Sequence, residues 1–135
     1  MDSAAPFVRH MLLCEDVRAS ASRPRKVNVY GLLSAIRPTG DAAEYPIRHS
    51  FCVYLALTEG RGAGEGRIAV VSADTELEIY LGQSHTLTFG PDPLKVLGAV
   101  FRIASCSFAR PGLYWVEFRY NGSTIARQPL LVGEP

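Results

Sequence analysis

Residues 113–120, LYWVEFRY, alternate without a break. Tyr114, Val116, Phe118 and Tyr120 fall on one side; Leu113, Trp115, Glu117 and Arg119 fall on the other. Successive side chains of a strand point to opposite faces, so the first set is the predicted core face and the second the outer face. Asn121-Gly122 follows at once. Both residues tolerate positive φ, as a two-residue type I′ hairpin turn requires. The return strand, residues 123–132, is out of phase with itself: Ile125 against Leu130 and Val132. A bulge near residues 127–129 is expected to restore the phase, and Pro129 has no N–H to lose from a ladder. Pro111-Gly112-Leu113-Tyr114 places a rigid turn and then an aromatic hydroxyl at the strand's start, the setting of a corner tyrosine that bonds back to nearby backbone.

Upstream, the pattern repeats. Residues 47–58 put Ile47, His49, Phe51, Val53, Leu55 and Leu57 on one face, and Arg48, Ser50, Cys52, Tyr54, Ala56 and Thr58 on the other. Residues 7–14, 26–36, 67–72, 75–81, 84–89 and 94–104 give further short apolar or alternating runs, with turn residues between them. Glycines 60, 62, 64 and 66 predict a flexible connection before residue 67. No segment sustains a 3.6-residue period. The expectation is one all-β domain over residues 1–135, an immunoglobulin-like antiparallel β-sandwich of eight or nine strands.

The segments MLLCEDVR, RKVNVYGL and PGLYWVEFRYNGSTIARQPLLV resemble a family of small bacterial proteins with no assigned activity. There a C/A-D-D/E-V-R strand end precedes a GK-x-x-x-x-G-x-Y/F strand, and the chain closes as an immunoglobulin-like hairpin. Pro24-Arg25-Lys26 stands where that family has a glycine–lysine turn. The resemblance implies the fold and transfers no catalytic residue.

Charge removes several functions. Fourteen Lys and Arg against thirteen Asp and Glu leave a formal charge of +1, which predicts neither a nucleic-acid partner nor a membrane surface. The first 17 residues lack a basic start and a long apolar run, so no signal or membrane segment is expected and the predicted compartment is the cytoplasm. Three scattered cysteines, Cys14, Cys52 and Cys106, suggest reduced packing residues and no disulfide framework.

Catalytic and metal constellations are not legible. His10, His49 and His85 lie on three different strands, and no C-x2-C or H-E-x-x-H spacing occurs. Glu15 and Asp16 beside Cys14 oppose thiolate formation. The glycine-rich stretch lacks the terminal Lys-Ser/Thr of a phosphate loop. No catalytic residue, cofactor or metal is predicted, and the chain is expected to be non-enzymatic. Arg23, Arg25 and Lys26 form a basic cluster suited to an acidic partner patch. Trp115 on an outer face is the exception worth reading. With Tyr54, Leu113, Arg48, Glu117 and Arg119 it makes a candidate protein interface, if strands 47–58 and 113–120 are neighbours. The expected function is protein–protein contact, including a homodimer through that face. The alternative is a small-molecule or carbohydrate site stacked on Trp115 and Tyr54.

Overall fold

A computed structural model describes residues 3–22, 26–38 and 45–133. Among these the chain forms ten strands: β1 Phe7–Ala19, β2 Val27–Leu32, β3 Ala35–Ile36, β4 Ile47–Thr58, β5 Ala63–Ser72, β6 Glu78–Leu81, β7 His85–Thr88, β8 Leu97–Phe108, β9 Gly112–Tyr120 and β10 Ser123–Val132. They make two sheets packed together as a sandwich. One runs β2-β1-β4-β8; the other runs β3-β10-β9-β5-β6, with β7 also paired to β5. Among these ladders β3 joins β10 in parallel and the other pairs are antiparallel.

The hairpin that is clearest in the sequence folds as its pattern dictates. Tyr114, Val116, Phe118 and Tyr120 are buried, and Asn121 and Gly122 take positive φ. The turn is seated on β5: Asn121 N–H donates to the Glu65 carbonyl, and the Glu65 N–H donates to Asn121 Oδ1, each at 2.8 Å. The expected bulge exists but lies closer to the turn. The register shifts between Thr124 and Ala126, leaving Ile125 as the extra residue. From there Leu130 opposes Tyr114 and faces the core, and Pro129 opposes Trp115. At the hairpin's start, the Tyr114 hydroxyl donates to the Arg110 carbonyl at 2.7 Å, while its ring packs edge-on against Phe108.

The same device serves elsewhere. In β8, Phe101 and Ile103 face inward, and so do Cys106 and Phe108, although the two pairs differ in phase. A bulge opposite His49–Phe51 reconciles them. Ser105 sits there at φ 49°, and its N–H donates to Ser50 Oγ at 2.9 Å. In β1 a shift between Val8 and His10 lets Val8, Met11 and Leu13 all pack on the core.

The glycine-rich stretch is a correction. Only residues 59–62 connect strands; Ala63–Gly66 already belong to β5. Gly64 and Gly66 lie on its inward face, beside the Tyr120 and Phe118 rings of β9. A Cβ on Gly64 would overlap the Tyr120 hydroxyl and Cζ, and one on Gly66 would press on Leu87 and Phe118. Glycine there makes room for aromatic side chains across the ladder, and hydrophobic patterning cannot detect such a strand.

The neighbour relation is the second correction. The strands beside β9 are β10 and β5, not the 47–58 strand. β4 lies in the other sheet, between β1 and β8.

Tyr114 and Tyr120 give opposite expectations for loss of a hydroxyl. Tyr114→Phe removes a made hydrogen bond and should cost about 0.5–1.5 kcal/mol; Tyr114→Ala should cost about 3–5 kcal/mol. The Tyr120 hydroxyl is buried with no hydrogen-bond partner, so Tyr120→Phe should leave stability unchanged or raised. Urea denaturation midpoints of the three variants decide. Equal losses for the two Phe variants would contradict the hydroxyl assignments.

Candidate functional site

Three neighbouring strands, β10, β9 and β5, build the middle of the outer face of the six-stranded sheet. Pro129, Trp115 and Val71 form one cross-strand row; Leu131 and Leu113 form another beside it. Leu113 is exposed, and Trp115, Val71 and Leu131 are half-buried. The Arg127 guanidinium lies 3.8 Å from the Trp115 ring centroid. Stacking of this kind at a partly exposed site contributes about 0.5–1 kcal/mol and leaves an amphipathic surface. The next two rows carry charge. Glu117 Oε1 accepts from Arg119 Nη2 at 3.0 Å and from Thr124 Oγ1 at 3.2 Å, while Arg119 Nη1 reaches Glu78 Oε1 at 2.5 Å. An aromatic and aliphatic centre with a charged rim is the usual anatomy of a protein interface.

Four of the six sequence-predicted interface residues therefore share a surface: Trp115, Leu113, Glu117 and Arg119. The other two do not. Arg48 and Tyr54 lie on β4, on the outer face of the opposite sheet. Trp115 and Tyr54 cannot form one patch or one stacking site, because the core separates the layers that carry them. Of the basic cluster, Lys26 is exposed beside the start of β2, and its carbonyl accepts from Ser20 N–H at 2.9 Å; Arg23 and Arg25 lie outside the described residues. Sequence reasoning missed Val71, Pro129, Leu131 and Arg127. Their membership in the patch depends on the β5–β9 neighbour relation and on the bulge at Ile125.

The second face, of the four-stranded sheet, holds a different group. Cys14, Val17 and Cys52 form a small buried cluster apart from the main core, with Val29 and Tyr54 packed against it. Over it lies the CEDVR strand end. Asp16 Oδ2 accepts from Arg18 Nε at 2.8 Å, and Oδ1 from Arg102 Nη1 at 3.1 Å. Arg102 also donates to the Val17 carbonyl at 3.0 Å, and Arg18 rests 4.9 Å from the Tyr30 ring centroid. The motif thus ties β1 to β8 across β4. Burial, then Cys52, then Asp16 and Glu15 push the Cys14 thiol up to about 11, and burial pushes Cys106 to about 12. His49 Nε2 is 3.5 Å from Glu15 Oε1 and makes no hydrogen bond there. Among the described residues, no three His, Cys, Asp or Glu side chains converge to hold a metal ion. No described helix is long and apolar enough to cross a membrane.

Residues 9–133 match a family of unknown function, DUF6941. No curated protein matches the chain.

Hydrogen bonds from Arg18 and Arg102 hold the Asp16 carboxyl below its ordinary value of 3.8. A carboxyl depressed in the folded state contributes stability above its unfolded pKa and loses it as pH falls. Asp16→Asn should therefore be less stable than wild type at pH 7. The gap should begin to narrow as pH falls below about 4 and should shrink in high salt, since the ion pairs are open to solvent. Urea midpoints at pH 7 and pH 3 test this; a gap independent of pH would mean that the carboxylate is not what matters.

Proposed function

The chain belongs to the family of unknown function DUF6941, and we propose that it is a non-enzymatic, immunoglobulin-like adaptor that acts by protein–protein contact through the face around Trp115. The strand neighbours support the finer fold reading: β4 between β1 and β8, β9 between β5 and β10, and a short strand running parallel to β10. Such neighbours suit a fold in which two layers exchange strands as a Greek key. We place it in a bacterial cytoplasm; three free, buried thiols suit that reducing compartment.

One observation carries the interface reading. The row Pro129–Trp115–Val71 and its neighbours Leu113 and Leu131 put apolar side chains side by side on the middle of a sheet, on the face away from the core, and no strand among the described residues packs over them. An outward tryptophan with an arginine stacked on it is a ready anchor: the ring supplies the buried area and the guanidinium can swing to an acidic partner. The ligand-binding alternative is weaker. Four concave sites among the described residues measure about 150–260 Å³, below the roughly 300–1,000 Å³ usual for small-molecule pockets, and Trp115 and Tyr54 occupy different sheets.

Self-association is the form tested first, because two-fold pairing of identical faces is the commonest homo-oligomer. Light scattering at high micromolar concentration should give a dimer mass for wild type and a monomer mass for Trp115→Glu, with unchanged circular dichroism. A carboxylate there would replace the apolar anchor at the centre of the seam and carry a desolvation cost on burial, even with Arg127 beside it. Tyr54→Glu, on the other sheet, should leave the dimer intact. A monomeric wild type removes the homodimer. A dimer broken by Tyr54→Glu and not by Trp115→Glu moves the interface to the four-stranded sheet.

A further inference from the structure

Cys14 and Cys52 stand directly opposite each other on neighbouring strands. The backbone shows which kind of pair they make. The Met11 carbonyl accepts from Gln128 Nε2, and the Leu13 carbonyl accepts from Leu33 N–H; both point away from β4. Successive residues of a strand present their polar groups to alternate sides, so those of Cys14 point toward β4. Cys14 and Cys52 are thus a hydrogen-bonded pair, whose Cα atoms are about 5.5 Å apart. That separation lies inside the range that disulfides span. The Cys14 sulfur already rests 3.7 Å from the Cys52 carbonyl oxygen.

The two sulfurs have different surroundings. Cys52 lines a shallow depression of about 230 Å³ with Glu15, Ser50, Arg102 and Ala104. Arg102 Nη1 sits 3.3 Å from Cys52 Sγ. The same guanidinium lines the depression, so Arg102 and Cys52 share its wall. Cys14 lies behind it, fully buried. Cys106 is equally buried but faces the main core, apart from this cluster.

We propose that Cys14 and Cys52 are a reversible dithiol–disulfide site, with Cys52 the thiol that meets a hydroperoxide and Cys14 the thiol that resolves it. The Cys52 thiolate attacks the terminal oxygen of the hydroperoxide. The O–O bond breaks, Cys52 becomes a sulfenic acid, and the alkoxide leaves as an alcohol on taking a proton. The Cys14 sulfur then attacks the Cys52 sulfur. An S–S bond forms, the S–O bond breaks, and the oxygen departs as water with the proton of Cys14. Two thiols lose two electrons and two protons, and the peroxide becomes an alcohol and water. Bridging a hydrogen-bonded pair requires the Cβ atoms to draw in to about 3.5–4.5 Å. The bond is therefore strained and easily returned to two thiols by a dithiol reductant.

The test uses the full chain and hydrogen peroxide. After peroxide, N-ethylmaleimide labelling in denaturant should find Cys106 alone. Peptide mapping should recover the Cys14–Cys52 linked pair, and dithiothreitol should restore all three thiols. Cys106→Ser should oxidise like wild type. Cys14→Ser should stop at a sulfenic acid on Cys52 that dimedone traps. Three labelled thiols after millimolar peroxide would overturn the proposal. So would a bridge that includes Cys106 or joins two chains. Because mapping of the wild type alone decides, a variant that fails to fold leaves the outcome determinate.

Discussion

Every strand in this sandwich must present one apolar face inward at a period of two, and the chain does not keep that period for long. In β1, β8 and β10 the inward residues change parity part-way along, at Arg9, Ser105 and Ile125. A slip of one residue would turn a whole set of core side chains to solvent. The bulges absorb the slip at single residues. The rest of the packing depends on them: Cys106 and Phe108 join Ile103 in the core, and Leu130 and Val132 join Tyr114. The cost is local. Ser105 takes a left-handed conformation, and Ser50 Oγ satisfies its N–H.

Size complementarity settles the inner faces once phase is restored. Gly64 and Gly66 of β5 lie against Tyr120 and Phe118 of β9, so large rings fill space that the glycines leave. Phe118 in turn meets Phe101 of the opposite sheet at 5.9 Å between centroids, and Phe108 meets Tyr114 at 4.9 Å. The aromatic contacts thus bridge the two layers as well as running along β9. They hold β9 in the middle of its sheet, and that placement exposes its outward residues as a continuous strip.

The two outer faces then diverge. On one sheet the strip is apolar, with Trp115 under Arg127 and a charged row beside it. On the other, a polar strap from Asp16 to Arg102 covers two thiols that have their own small cluster. The first surface suits a partner of similar shape and chemistry. The second is closed over, except where Cys52 meets the depression beside Arg102. A contact surface and a thiol pair on opposite faces can be altered separately, so variants at Trp115 and at Cys52 address different properties of one domain.

The sequence by itself determined the all-β class, the buried face of residues 113–120, the Asn121-Gly122 turn, the Tyr114 corner and the inward face of residues 47–58. These are local: alternation, turn chemistry and a four-residue hydrogen bond need no distant partner. It also picked out Trp115 as outward. Only the tertiary structure decided which strands are neighbours. β4 and β9 look equally suited to pair, because both alternate strongly, and pairing is a contest among all such strands. The Ala63–Gly66 half of β5 left no hydrophobic trace, since its role is to be small opposite large rings. For that reason Tyr54 and Arg48 left the predicted patch, Val71 and Pro129 entered it, and Cys14 met Cys52. Juxtapositions across 38 or 56 residues depend on register, and register is set by bulges whose positions the pattern only brackets.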